Sequence, residues 1–289
     1  MLNILITGSN GQLGFELRQL SSEYKKFNCH FTDVDDLDIT KINQLEDFFK
    51  SNNIDFIINS AAYTAVDKAE TDIENANLVN VTAVENLVDI CKKYNCKLIH
   101  VSTDYVFDGN SHIPYKESDQ TNPIGVYAVT KLEGEKLIID SKIDSAIIRT
   151  SWLYSTHGNN FVKTIMRLAK EREQLGVLFD QVGTPTYAAD LAAAIFKVIE
   201  NYKSNSCAEI FHFSNEGAIS WFDFAKSIVE IANINCQINP IETYQYPTPA
   251  KRPAYSILNK AKIKETYSLE IPYWRDSLKK AITILSNNQ

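Results

Sequence analysis

Along the first half of the chain, short apolar runs alternate with longer segments whose apolar residues recur at three- and four-residue spacing. Short runs bounded by turn formers predict buried strands, and the longer periodic segments predict amphipathic helices. The strands fall at Leu2 to Thr7, Cys29 to Val34, Phe56 to Asn59, Lys97 to Ser102 and Ala146 to Thr150. Between them lie helices at Leu13 to Leu20, Ile42 to Ser51, Asn75 to Tyr94 and Tyr127 to Ser141. Such alternation predicts an α/β fold, a doubly wound parallel sheet of the Rossmann type with right-handed crossovers. Beyond Trp152 the pattern changes. Asn160 to Glu173, Ala188 to Tyr202 and Trp221 to Ala232 read as helices, Gly176 to Asp180 as a strand, and Tyr246 to Pro253 as a proline-rich loop. The expected division is a Rossmann domain over 1–152 and a smaller C-terminal α+β lobe over 153–289. The strand near 176–180 and the helix near 188–202 are candidates to return to the first domain.

Composition narrows the classes of function. The 289 residues carry a formal charge of −7 with no basic run, which makes nucleic acid and anionic membrane surfaces poor partners. Cys29, Cys91, Cys96, Cys207 and Cys236 are odd in number and scattered, without CxxC spacing. That predicts reduced thiols and a cytoplasmic protein. The chain enters a strand directly and holds no run of about 18 apolar residues, so neither a leader nor a membrane span is expected. His30, His100, His112, His157 and His212 show no metal-ligand spacing, and no metal is expected.

The chemistry starts at Thr7-Gly8-Ser9-Asn10-Gly11-Gln12-Leu13-Gly14, between the first strand and the first helix. Gly8 suits a tight turn, Gly11 lets backbone N–H groups approach a pyrophosphate, and Gly14 allows close helix packing, the context of a dinucleotide fingerprint. Asp33, about 20 residues further on, stands where an acid would bond the adenosine ribose hydroxyls. No Arg adjoins it in sequence, which favours NADH and leaves NADPH open. Tyr127 and Lys131, four residues apart, share one helical face, where the ammonium would lower the phenol's pKa. The turn Asn122-Pro123-Ile124-Gly125 opens that helix, whose dipole would add to the effect. Ser102, Thr103 and Asp104 end the fourth strand, at the edge where open α/β sheets bind ligands. A hydroxyl there can donate to a carbonyl oxygen as negative charge builds on it.

The glycine turn, Ser102-Thr103-Asp104-Tyr105-Val106-Phe107 and Tyr127-x-x-x-Lys131, in this order, resemble the extended short-chain dehydrogenase/reductases. Further stretches narrow the likeness, among them Ala61 to Glu70, Arg149 to Tyr154, Gly158 to Phe161, Asp180 to Thr186 and Tyr246 to Pro253. Together they resemble the dTDP-4-dehydrorhamnose reductase family over nearly the whole chain. The resemblance implies a catalytic triad of Thr103, Tyr127 and Lys131, the last two also touching the nicotinamide ribose. It implies Gly11, Gln12 and Leu13 at the pyrophosphate, Asp33 at the ribose, Asp38 and Ile39 at the adenine, and Ala62, Tyr63 and Thr64 at the middle of the cofactor. Thr103, Asp104, Trp152, Asn160 and Arg252 would meet a dTDP-sugar, Arg252 at its diphosphate, while Trp152 reads equally as a core residue between the lobes. Family members described as metal-bridged dimers use glutamates; Glu16 matches one such position and Ala189 departs at another, so Glu16 is expected as a helix-terminal acid in a monomer or homodimer. The implied reaction is reduction of a 4-keto sugar nucleotide by NADH or NADPH. The alternatives are another 4-keto-deoxysugar nucleotide, or a non-catalytic NADP-binding regulatory subunit of the same fold.

Overall fold

The computed structural model describes residues 1–205 and 207–287. One parallel sheet is built from β1 (Leu2–Thr7), β2 (Phe27–Phe31), β3 (Phe56–Asn59), β4 (Lys97–Thr103), β5 (Ser145–Thr150) and β6 (Ala208–His212). Their spatial order is β6-β5-β4-β3-β1-β2. Successive side chains point to opposite faces of a strand, and both faces here are apolar. Ile4, Ile6, Ile58, Ile99 and Ile148 pack with Leu13 and Leu17 of α1 (Gln12–Ser21) and with Leu191, Ile195 and Phe196 of the helix Ala188–Glu200. On the other face, Leu5, Ile57, Leu98 and Ile147 pack with Leu45 and Phe49 of α2 (Ile42–Ser51), Leu87 of α3 (Ala83–Tyr94) and Ile138 of α4 (Val126–Ser141). Each such side chain contributes about 2 kcal/mol on burial, so the layered contact rather than helix propensity holds the sheet. Because β1 lies between β2 and β3, the winding reverses there, which opens a crevice beyond Thr7 and Asn59 at the strands' carboxyl ends.

Several boundaries differ from expectation for physical reasons. The second strand stops at Phe31 rather than Val34, because the Asp33 carboxylate accepts the Asn10 and Val34 N–H groups and its carbonyl accepts those of Asp36 and Leu37, closing a turn. The third helical stretch starts at Ile73 and contains a wide π turn over Leu78–Thr82 before α3. There Asn80 reaches out, its amide donating to Thr130 of α4 and its carbonyl accepting from the Tyr63 backbone. The strand expected near 176–180 as a return to the main sheet forms elsewhere. Gln174–Leu178 pairs in parallel with Gln237–Ile241, because Leu175 and Val177 bury into the smaller lobe with Ile238 and Phe224. The main sheet's edge beside β5 is taken instead by β6, which the pattern did not reveal. The smaller lobe's core gathers Tyr154, Val162, Met166, Phe224, Trp274 and Leu278. Among the described residues no helix is long and apolar enough to cross a membrane.

Candidate active site

A cavity of about 870 Å³ runs over the carboxyl ends of β1, β3 and β4 to the joint with the smaller lobe. At one end lies the glycine turn. Gly8 has φ +67°, and a Cβ there would stand 2.7 Å from the Ala61 Cα; a Cβ on Gly14 would stand 2.4 Å from the Ser9 Cα. Only glycine allows this approach of turn, β3 and α1. Gly11 precedes α1 without a capping side chain, which leaves the first-turn N–H groups to serve an anion. Asp33, Asp38 and Ile39 line this end with Val34 and Leu37, and Ala62 and Thr64 line the middle. This cradle fits a dinucleotide.

The opposite end is formed by Ser102, Thr103, Asp104, Tyr127 and Lys131. The Thr103 hydroxyl accepts the Tyr105 N–H at 3.2 Å and donates to Asp104 Oδ1 at 3.1 Å. Ser102 Oγ and Asp104 Oδ2 are buried with no partner among the described residues, a costly state that a bound polar ligand would relieve. Burial pushes the Asp104 carboxyl up to about 7, with the Ser256 and Thr103 hydroxyls opposing. Gly125, at φ +95°, starts α4, and the Val126 N–H donates to Glu70 Oε1 at 2.9 Å. Tyr127 follows at the helix start, its ring edge-on to Tyr105 at 5.8 Å.

The expected lowering of the Tyr127 pKa is not what this arrangement gives. Burial pushes the phenol up to about 12, with the Thr103 hydroxyl opposing and the Asp104 charge adding to the rise. Lys131 shares the cavity, but its Nζ donates to Val101 O at 2.9 Å and lies 3.2 Å from His100 Nε2. Burial brings its ammonium down to about 8, against the pull of Glu135. His100, wholly buried beside Asn59, is held well below its ordinary value by burial and by Lys131. Asn59 in turn accepts the Thr7 hydroxyl at 2.8 Å, so a chain of buried polar groups links the lysine to the glycine end.

Two expected contacts stand off the wall. The Tyr63 phenol donates to Asp72 at 2.8 Å, because Asn80 fixes its backbone and turns the ring outward. Arg252 forms a two-pronged ion pair with Asp67, at 3.1 and 2.7 Å, and also bonds Thr248 and Ala250. Its charge is therefore spent on a carboxylate, where a diphosphate was expected. Trp152 lines the cavity and stacks face to face on Trp221 at 3.6 Å, so it meets both the cleft and the joint. Its φ of +46° is a left-handed conformation that a bulky residue rarely adopts. Asn160 also lines the cavity, donating to Gln12 at 2.9 Å. Trp221 was missed by sequence reasoning, since an aromatic opening a helix carries no signal of its own. Glu16 is buried and accepts from Ser155 at 2.6 Å, and burial raises its pKa against that bond. No group of three or more His, Cys, Asp or Glu among the described residues could hold a metal ion.

Comparison with known proteins bears on the whole of this cleft. The RmlD substrate binding domain family model matches residues 2–287. The dTDP-4-dehydrorhamnose reductase of Aggregatibacter actinomycetemcomitans is 41% identical, with 96% of this chain and 98% of that protein covered. The crystal structure of a dTDP-4-dehydrorhamnose reductase from Clostridium acetobutylicum superposes with a TM-score of 0.93 at 40% identity, covering 99% of this chain and 100% of that chain. The Bacillus anthracis dTDP-4-dehydrorhamnose reductase in complex with NADP gives 0.92 at 38% identity, covering 98% and 100%. Matched from end to end in sequence and in fold, the chain belongs to the dTDP-4-dehydrorhamnose reductase family, that of the RmlD substrate binding domain.

Proposed function

We propose that this chain reduces the C4 ketone of dTDP-4-dehydro-L-rhamnose to the alcohol of dTDP-L-rhamnose, with NADH or NADPH as reductant. The gathering of Thr103, Tyr127 and Lys131 at one end of a cavity whose other end is a glycine cradle is the observation that carries this. When bound, the reduced nicotinamide supplies the hydride. Gly8, Gly11, Gln12 and Leu13 hold the pyrophosphate, Asp33 the ribose hydroxyls, and Asp38, Ile39, Ala62 and Thr64 the rest of the cofactor's length. Tyr63 contributes its backbone alone.

As hydride reaches C4, charge builds on the ketone oxygen, and the Thr103 hydroxyl and the Tyr127 phenol are the donors that face it. A phenol near 12 stays protonated at neutral pH, and an alkoxide is basic enough to take its proton. The O–H bond of Tyr127 breaks and the product hydroxyl forms. Lys131 fixes the nicotinamide ribose and favours the resulting phenolate. Asp104, Trp152 and Asn160 hold the sugar nucleotide. Arg252 reaches the diphosphate on exchanging Asp67 for it. Free, scattered cysteines and a formal charge of −7 without a basic run in the sequence suit a cytoplasmic enzyme, monomer or homodimer.

The decisive assay follows NADH absorbance on adding the 4-keto sugar nucleotide. Tyr127→Phe is expected to bind NADH normally and to lose at least about a hundredfold in turnover, the range for a lost general acid. Unchanged turnover would remove the tyrosine from its role. No turnover by the unaltered protein with this sugar, but turnover with a different 4-keto sugar nucleotide, would move the substrate assignment.

A further inference from the structure

Beneath Lys131 the sheet departs from its apolar rule. On the face that packs against α4, Leu5, Ile57 and Leu98 stand in register on β1, β3 and β4. Two residues further along each strand, the same face carries Thr7, Asn59 and His100, again in register. They are 1%, 0% and 0% exposed. The Thr7 hydroxyl donates to Asn59 Oδ1 at 2.8 Å, Asn59 Nδ2 lies 3.0 Å from His100 Nδ1, and His100 Nε2 lies 3.2 Å from Lys131 Nζ. Three dry polar side chains in place of an apolar row weaken the fold unless each finds its partner. The last partner of this row is the lysine.

Burial and the Lys131 charge keep the His100 ring neutral, with one N–H and one lone pair. Such a ring serves either form of the lysine. Facing an ammonium, Nε2 accepts, and Nδ1–H donates to Asn59 once the amide turns its oxygen toward the ring and its N–H toward Thr7. Facing a free amine, Nε2–H donates and Nδ1 accepts from Asn59 Nδ2. In both cases Val101 O takes another lysine N–H at 2.9 Å, which leaves the remaining position for the cavity. The other titratable groups stand back. Glu135, one turn along α4, favours the ammonium through its charge but is clasped by Arg149. Tyr127 and Asp104 line the cavity, and among the described residues neither forms a hydrogen bond with Nζ. We propose that His100, oriented by Asn59 and Thr7, is a positioning residue that holds the Lys131 amino group in place through both of its protonation states. It favours the ammonium over the amine, because a hydrogen bond from a charged donor is the stronger. The proposal rests on the reading of Lys131 as a working part of the reductase site.

Nitrogen-15 NMR of the full chain labelled in histidine reads the ring directly, with His100→Gln identifying its signal. The proton is expected on Nδ1 at about pH 6.5 and on Nε2 at about pH 9.5, either side of the lysine's own titration at about 8. The pH profile of kcat for NADH oxidation with the 4-keto sugar nucleotide reads the consequence. His100→Phe removes the acceptor and disfavours the ammonium, so the alkaline limb should move down by about one pH unit. His100→Gln, whose amide presents oxygen or N–H near the place of Nε2, should bring the limb back. A fold merely loosened would lower kcat by the same factor at every pH. One tautomer at both pH values, an imidazolium at about pH 6.5, or a Phe variant whose limb has not moved would overturn the role and leave the reductase standing. The tautomer measurement uses the unaltered chain, so it decides the matter even if His100→Phe does not fold. No turnover by the unaltered protein with any 4-keto sugar nucleotide would remove the reductase reading and this role with it.

Discussion

Replacing Lys131 by Met is expected to remove activity and to make the fold more stable. Lys131 is 2% exposed, and burial lowers its ammonium from 10.5 to about 8. That drop corresponds to about 3 kcal/mol at ~1.4 kcal/mol per pKa unit, the burden of keeping a cation dry. Met matches the side chain's length but leaves Val101 O without its donor, a loss of about 1–3 kcal/mol for a buried acceptor. The variant should therefore gain about 1 kcal/mol at pH 7, which is a rise of a few degrees in Tm for a chain of this size. Here the folded-state pKa lies below the unfolded one, so the burden is full below about pH 8 and is relieved as pH climbs toward 10.5. The gain should shrink by about 2 kcal/mol between pH 7 and pH 9.5 and there change sign. Urea unfolding followed by circular dichroism at the two pH values measures both quantities. A Met variant that is less stable at pH 7, or a difference that does not move with pH, refutes the reasoning.

Gly8→Ala should abolish NADH binding and cost about 1–3 kcal/mol, since φ is +67° and the new methyl meets Ala61 at 2.7 Å; NADH fluorescence and Tm read the two effects, and normal binding would remove the cradle. Glu135→Gln should destabilise by about 3–5 kcal/mol, because Arg149 donates to that carboxylate at 2.7, 3.0 and 3.2 Å in the dry core. Chemical denaturation tests it, and a change under about 1 kcal/mol contradicts it. Asp104 has a folded-state pKa of about 7, raised from 3.8 by burial, so its carboxyl stabilises the fold below about pH 4 and loses that contribution as pH rises to 7. Asp104→Asn should gain on the unaltered protein across that window and level off above it; an advantage independent of pH would contradict the shift.

The main sheet was legible because a strand buried on both faces must be apolar throughout: Ile4, Leu5 and Ile6 feed two cores at once and leave no alternative period. The glycine turn was legible for a different reason, since each glycine answers a close approach that no other residue allows. β6 was hidden because it lies on an edge, half exposed and pairing on one side only, so its pattern resembles a loop. The destination of Gln174–Leu178 was hidden because pairing depends on which edge is free, and that is decided by Ala208–His212 some thirty positions later. In the site, spacing alone brought Tyr127 and Lys131 to one cavity but could not report that Val101 and His100 would claim the ammonium. Arg252 shows the same limit: a cation near a cleft says nothing about Asp67, 185 positions away.

Three of the side-chain bonds that join the lobes lie at the cleft or beside it, which links those contacts to its occupancy. Ser155 donates to Glu16, Asn160 to Gln12 and Arg252 to Asp67, each from the later part of the chain to the first domain. The first is buried and has no expected rival. The other two use groups expected to meet ligands, with Gln12 beside the pyrophosphate and Arg252 beside the sugar's diphosphate. A dinucleotide that takes Gln12 releases Asn160, and a diphosphate that takes Arg252 releases Asp67. Each exchange replaces one hydrogen-bonded partner by another, so its net free energy is small compared with either bond alone. The lobes therefore stay joined through Glu16, the Trp152–Trp221 stack and the backbone bonds of Tyr115 with Ile257 and Asn259, while the two polar clasps hold the Asn160 and Arg252 donors ready for exchange with ligands.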